Sequence, residues 1–281
     1  MIKAILARLQ QKHRTIAYPD GAPPPLPDRF RGRPLVDTSA CPDGCRRCAD
    51  ACPTGAIEPG PAGHVDLGKC LFCTACAEAC PRHAITHADG YQLAARQRAD
   101  LVVAPDHAAV EIAGAALEKR LVRLLGRSLR LRQVSAGGCN ACEADTNVLG
   151  TVGWDLSRFG IQFVASPRHA DGLLVTGPVA QNMALALKKT YDAVAEPRIV
   201  IAVGACAISG GPYGGHSQVA GGAGAVVPVD LYIPGCPPHP LTILDGLLRL
   251  IGRIADAPAA ADVARLSQLG DMDGCGSDQA E

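Results

Sequence analysis

Cysteine dominates the chemistry available to this chain of 281 residues: twelve of its thirteen cysteines fall into three groups of four. Cys41, Cys45, Cys48 and Cys52 lie in CPDGCRRCADACP, and Cys70, Cys73, Cys76 and Cys80 in CLFCTACAEACP. The third group is dispersed, with Cys139 and Cys142 in SAGGCNACEAD, Cys206 in VGACAISGG and Cys236 in YIPGCPPHP. Grouped thiolates are ligands for soft metals and iron–sulfur centres. The second motif follows C-x2-C-x2-C-x3-C-P without deviation, the spacing that holds 4Fe–4S cubes in pairs. Three thiolates two residues apart curl around one corner of a cube, and the fourth, on a short helix, points to the other. One cluster is thus assigned to Cys70, Cys73, Cys76 and Cys52, and the other to Cys41, Cys45, Cys48 and Cys80. The first motif has one extra residue between Cys41 and Cys45, which an Asp43–Gly44 turn absorbs; it leaves that cluster's type and potential open. Zinc sites usually join two C-x2-C hairpins through a longer spacer, which these adjacent runs do not do.

For the third group, a C-x2-C pair with two distant cysteines suits a cluster, a zinc ion or structural thiols alike. Each of its segments follows a predicted strand, and loops at the carboxyl ends of parallel strands are where open α/β sheets build sites. Glycines beside each cysteine allow the backbone close to a bound group. Glu143 follows a candidate ligand directly; it either tunes that site or relays protons, or it is a helix N-terminal acid facing the dipole. Arg168 and His169, in a turn between strands near the presumed cluster face, and His216 and His239 read as hydrogen-bonded loop residues. The run GGPYGGHSQVAGGAGA lacks both phosphate-loop patterns, so no nucleotide site is expected. Cys275 stands outside the three sets as an unliganded surface thiol.

The elements that must position these residues follow from pattern. Residues 15–40 are proline-rich, with Pro23, Pro24, Pro25 and Pro27, and read as an extended arm lying across another surface. Residues 41–90 contain a near-repeat, ADACPTGAI and AEACPRHAI, implying two half-domains related by a pseudo-twofold axis. A helix over 108–125 would align Val110, Ala113, Leu117, Leu121 and Leu124. An α/β alternation then begins, with strands at 129–134, 161–166, 172–177, 198–204 and 227–233 and helices at 142–158, 181–195 and 239–255. Apolar strands bounded by Gly or Pro suit a parallel sheet covered on both faces. The expected organisation is an N-terminal helix and arm (1–40), a bacterial-type 2x4Fe–4S ferredoxin domain of α+β type (41–95), a linker and helix (96–127), a parallel-sheet α/β domain (128–257) and a flexible tail (258–281).

Composition narrows the classes. The formal net charge is zero, which offers nothing to nucleic acid, although Lys119, Arg120, Arg123, Arg127, Arg130 and Arg132 form a basic stretch that reads as a solvated face or a docking surface. The opening MIKAILARLQQKHR has neither a long apolar run nor a twin-arginine pair, so no signal peptide is expected; residues 2–11 suit an amphipathic helix. No apolar stretch approaches the ~20 residues that span a bilayer. A cytoplasmic location follows, where disulfides are rare and metal is the usual reason for many cysteines.

Residues 128–255 resemble the small subunit of the membrane-bound (group 4) NiFe hydrogenases of the formate hydrogenlyase type, and the 20-kDa (B) subunit of respiratory complex I, an NADH-quinone oxidoreductase. The matching stretches are GGCNACE, SPRHADGLLVTGPV, GACAISGG and VPVDLYIPGCPP. Residues 15–90 resemble the two-cluster ferredoxin subunit of the same hydrogenlyase complexes, including Tyr18–Pro19 and Phe30-Arg31-Gly32-Arg33-Pro34. The chain looks like those two subunits fused. The resemblance implies a flavodoxin-like core without flavin, and a third 4Fe–4S cluster on Cys139, Cys142, Cys206 and Cys236. That cluster would lie nearest the active site of a large partner subunit. Complex I subunits carry an adjacent Cys–Cys pair, whereas Cys139-Asn140-Ala141-Cys142 follows the hydrogenase branch. Relatives keep an acid at Glu143 and a second Glu where this chain has Asp145, which weakens any carried-over proton relay.

The resulting expectation is an electron-transfer subunit of a formate hydrogenlyase-like complex, peripheral on the cytoplasmic side of the inner membrane. Its partners would be a NiFe-hydrogenase-like large subunit carrying the catalytic centre, membrane-embedded subunits, and a donor such as formate dehydrogenase or ferredoxin. The alternatives are a complex I-like module delivering electrons to quinone beside a D-type complex I protein, and a free-standing ferredoxin-type carrier.

Overall fold

The computed structural model describes residues 2–11, 14–42, 44–60, 63–103 and 128–254. The helix expected over 108–125, most of the basic stretch and the tail with Cys275 lie outside the described residues. Helix α1 (Ile2–Gln11) exposes Ile2, Ile5, Leu6 and Leu9 along one side. The proline-rich arm forms neither helix nor strand up to β1 (Pro34–Val36), because proline withholds the amide that either would need.

The cysteine repeats are carried by small elements: α2 (Arg47–Asp50), β2 (Ile57–Glu58), β3 (His64–Asp66), α3 (Ala75–Ala79), β4 (Ile85–His87) and β5 (Val102–Val103). Strand β1 pairs antiparallel with β4, and β3 pairs antiparallel with both β2 and β5. The repeat is visible at atomic level. Ala56 N–H donates to Cys52 Sγ at 3.2 Å, and Ala84 N–H donates to Cys80 Sγ at 3.4 Å.

The carboxyl half is built from β6 (Leu129–Ser135), α4 (Ala141–Val148), β7 (Ile161–Phe163), β8 (Gly172–Thr176), α5 (Gln181–Asp192), β9 (Ile199–Val203), α6 (Ala205–Ser209), β10 (Leu231–Ile233) and α7 (Pro240–Leu250). Its strands pair in parallel in the order β10-β9-β8-β6-β7, the doubly wound 2-1-3-4-5 order of flavodoxin-like folds. The helix expected over 142–158 stops at Val148 and gives way to a 3-10 turn at Leu156–Phe159. Gly150 and Gly153 interrupt the helical run, and Asp155 turns left-handed with φ 45°.

Strand periodicity sends alternate residues to two cores. Leu129, Leu131, Leu174, Ile199, Ile201 and Ile233 pack with Leu244, Leu247 and Leu248 of α7, and with Tyr18 of the arm. On the opposite face, Leu173, Val175, Val200 and Ala202 pack with Leu187 and Ile208, and with Leu67, Leu101 and Val103 of the amino-terminal half. The cysteine-repeat unit therefore covers one sheet face and the arm crosses the other. The segment between the halves closes the β10 edge: Ala95 and Tyr232 exchange backbone hydrogen bonds of 2.9 and 2.8 Å, which shields an otherwise open strand.

Candidate iron–sulfur sites

Cys41, Cys45, Cys48 and Cys80 line one cavity of about 390 Å³. Burial raises the Cys41 thiol pKa, and the charges of Cys45 and Cys80 push it further. Gly44, at φ 71°, turns the backbone so that Cys45 N–H reaches Pro42 C=O at 3.1 Å, which takes up the extra residue of this motif. The edge of the site is open, with Cys41 exposed.

Cys52, Cys70, Cys73 and Cys76 line a second, narrower cavity. Burial drives the Cys70 thiol up to about 12, with Cys76, Cys52 and Cys73 adding to the shift and the Phe72 N–H opposing it. That amide donates to Cys70 Sγ at 3.3 Å, and it can do so because Phe72 takes a left-handed φ of 52°. The fourth cysteine of each repeat thus stands with the first three of the other.

The third set gathers where β6, β9 and β10 end. Cys139 follows β6, Cys142 lies in the first turn of α4, Cys206 opens α6 and Cys236 follows β10. Cys142 is raised to about 12 by burial and by the charges of Cys206, Glu143, Cys236 and Cys139; Cys206 reaches about 11 for the same kind of reason. Two glycines make room. A Cβ on Gly204 would lie 2.5 Å from Cys142 Sγ, and one on Gly211 would lie 2.8 Å from Cys206 Sγ. Cys236 lines one cavity with Leu71 and Phe72, so the loops of the second and third sets adjoin across the boundary between the halves. Ser209 reinforces that contact by donating to Gly68 C=O at 2.9 Å.

Among the described residues, no three His, Cys, Asp or Glu side chains are arranged around a single metal ion. Thiols sharing one zinc close to within bonding distance of it, at Zn–S of about 2.3 Å. Sets of four thiols also match the ligand number of a 4Fe–4S core. The crowding agrees: thiols raised by burial and by one another become thiolates together only beside positive charge, which metal supplies. The N–H donors on Cys52, Cys70 and Cys80 are the contacts that stabilise negative sulfur.

Glu143 is buried and turned toward the sheet. Its Oε1 accepts from Ser135 Oγ at 2.6 Å and Thr176 Oγ1 at 2.7 Å. Burial works against the carboxylate, but those hydroxyls and its own amide outweigh it, leaving its pKa below the usual range. It ties the first turn of α4 to the ends of β6 and β8. Asp145 lines a cavity of about 310 Å³ with Arg31, Phe72, Cys236 and His239, and burial raises its pKa.

Arg168 and His169 do not lie at the cysteine end of the sheet. Their turn, Pro167–His169, leads directly into β8, and the neighbouring Asp171 accepts from Arg130 N–H at 2.7 Å at the start of β6. They sit at the amino ends of the strands, exposed, because the β7–β8 connection carries the chain back beneath the sheet. His216 Nδ1 accepts from Gln218 N–H at 3.2 Å. His239 Nδ1 accepts from Leu241 N–H at 3.1 Å, capping α7, while its ring meets Phe30 and Trp154 edge-on. The contacts of Arg31, Tyr18 and Arg158 have no signal in the spacing of the cysteines. Asp245 is the exception: an acid inside the apolar run LTILDGLL marks a buried partner, here the Tyr18 hydroxyl at 2.6 Å and Arg249 at 2.8 Å.

Residues 139–250 match the family described as NADH ubiquinone oxidoreductase, 20 Kd subunit, and residues 40–84 match the 4Fe-4S dicluster domain. A probable membrane-bound hydrogenase subunit of Pyrococcus furiosus is 39% identical over 142 residues, covering 50% of this chain and 85% of that protein. The B subunit of the NADH-quinone oxidoreductase of Saccharopolyspora erythraea is 44% identical over 133 residues, covering 47% of this chain and 60% of its own length. Formate hydrogenlyase subunit 7 of Escherichia coli is 41% identical over 138 residues, covering 49% of this chain and 54% of its own length. Among the described residues no helix is long and apolar enough to cross a membrane.

Proposed function

The chain belongs to the NADH ubiquinone oxidoreductase 20 kDa subunit family, with a 4Fe–4S dicluster domain joined in front, and from that premise we propose that it relays electrons through three 4Fe–4S clusters to or from the large subunit of a membrane-associated NiFe hydrogenase complex of the formate hydrogenlyase kind. The observation that supports this reading is a cavity lined both by Cys236 and by Leu71 and Phe72, which lie between Cys70 and Cys73, so that the third cysteine set adjoins the second. When bound, each cluster supplies reversible one-electron chemistry. The chain's own residues hold the clusters in order, exclude solvent from the middle one, and place N–H donors against its sulfurs. The exposed Cys41 set is the entry or exit toward a redox donor such as formate dehydrogenase or ferredoxin. The Cys139 set, with Cys139 and Cys236 exposed, faces the large subunit, where the reaction's catalytic centre resides. The Cys139-Asn140-Ala141-Cys142 spacing supports the hydrogenase form, and the membrane-bound hydrogenase relative supports membrane association; within that reading the chain sits peripherally on the cytoplasmic side of the inner membrane.

A second reading, a complex I-like module passing electrons to quinone, is favoured by the NADH-quinone oxidoreductase relative at 44% identity. Purification of the native complex without oxygen, with metal counted, separates the two. About twelve irons per chain are expected, four in each 4Fe–4S cluster. Nickel with hydrogen uptake supports the first reading; quinone reduction without nickel or hydrogen activity replaces it with the second.

A further inference from the structure

We propose that Arg31, on the proline-rich arm, is a positioning residue for the site formed by Cys52, Cys70, Cys73 and Cys76: it grips the peptide that carries Cys73 and sets that site's reduction potential with its charge. The inference rests on the electron-relay reading and adds to it a control point outside the cysteine motifs.

Arg31 Nη1 donates to Phe72 C=O at 3.1 Å. That carbonyl belongs to the peptide unit joining Phe72 to Cys73, and Phe72 lines one cavity with Cys236 of the third set. The N–H of Phe72 meanwhile donates to Cys70 Sγ at 3.3 Å. Phe72 is thus held from both sides in a left-handed conformation, φ 52°, which a bulky side chain adopts only under constraint. The guanidinium acts as the outer clamp.

No direct ion pair holds the guanidinium: among the described residues no carboxylate lies within ion-pair distance of Arg31. The neighbouring titratable group, His87, is held toward its neutral form by burial and by Arg31. Net charge and hydrogen bonding near the sulfurs are among the protein's main means of setting cluster potentials. The Arg31 cation therefore favours the more negative, reduced form of the site beside it, with Asp145, on the same cavity, acting in the opposite sense.

The arm is built to hold this residue in place. Gly32, the next residue, donates to Ala88 C=O at 2.8 Å, and a Cβ there would fall 2.4 Å from the carbonyl oxygens of Ala88 and Gly90. Phe30, the residue before, sets its ring edge-on to His239 at 5.6 Å, three positions after Cys236. Consecutive arm residues thus reach the loops of the second and third cysteine sets. Upstream, Arg158 donates to Ile16 C=O at 2.8 Å and Tyr18 C=O at 2.6 Å, fixing the arm to the α/β half.

The test is a redox titration of the full chain, loaded without oxygen, followed by electron paramagnetic resonance. The signal of the middle site is identified by its loss in Cys73→Ser. Arg31→Gln keeps a donor for the Phe72 carbonyl but removes the charge, and is expected to move that midpoint potential to a more negative value. Arg31→Lys retains most of the original potential, and the Cys41-set signal stays constant throughout. An unchanged potential in Arg31→Gln, or an equal shift in Arg31→Gln and Arg31→Lys, overturns the proposal. The relay reading is tested separately by iron content and three signals in the unsubstituted chain.

Discussion

Gly204 is the residue on which the third cysteine set depends most directly. Its φ of 90° is open to glycine, and a methyl group there would sit 2.5 Å from Cys142 Sγ. Gly204→Ala therefore forces either the backbone or the thiol out of place. The expected outcome is a chain with about eight irons in place of about twelve, at four per cluster, with both ferredoxin-type signals intact; iron analysis and low-temperature spectroscopy check it. Glycine beside each cysteine was legible in the sequence as a need for close approach. Which glycine meets which sulfur was not, because Gly204 and Cys142 are brought together only by the order of β9 and β6 in the sheet. The spacing C-x2-C-x2-C-x3-C-P predicts the swapped pairing of Cys52 and Cys80, since it leaves its fourth thiol on a helix pointing away. The structure sets each of these two beside the other repeat's three thiols.

Among the elements, the arm shows how far pattern reading extends. Four prolines exclude helix and interior strand, so an extended segment was legible, but its path was not. That path is written in single side chains spread over the chain: Arg158, Asp245 and His239. The strongest of these ties is Tyr18, whose hydroxyl donates to the fully buried Asp245 at 2.6 Å. Tyr18→Phe removes a hydrogen bond to a charged group and is expected to cost about 1–3 kcal/mol. Denaturant unfolding measures the loss, and limited proteolysis should cut the arm earlier. Burial, then the Asp245 charge, raises the Tyr18 pKa above its ordinary 10.0. A group that binds its proton more tightly when folded adds stability below its unfolded pKa and loses it as pH rises. Stability should accordingly fall above about pH 10 in the unsubstituted chain, and fall less steeply in Tyr18→Phe. The shortening of the helix expected over 142–158 has a comparable origin: an apolar periodicity continued through Gly150 and Gly153, and the backbone did not follow it.

At the scale of the molecule, the α/β alternation and the carboxyl-end cysteine loops were legible from strands and glycines alone. The seating of the amino-terminal half on one sheet face was not, because its contributors, Leu67, Leu101 and Val103, belong to short strands and turns with no periodicity to mark them. Leu101 is 0% exposed and shares a core with residues of β8 and β9. Leu101→Ala should cost about 2–5 kcal/mol and lower the stability of both halves together. Circular dichroism and cluster absorbance are then expected to change at one shifted denaturant midpoint, whereas two separate transitions would show halves that unfold independently. The unequal shielding of the three sites also bears on how the chain fails. The outer sites expose Cys41 at one end and Cys139 and Cys236 at the other, while the cysteines of the middle set are all half-buried or buried. Air and peroxide should therefore attack the separated chain from its two ends inward, bleaching the middle centre last. A large subunit seated on the Cys139 loops would protect one end and leave oxygen a single point of entry.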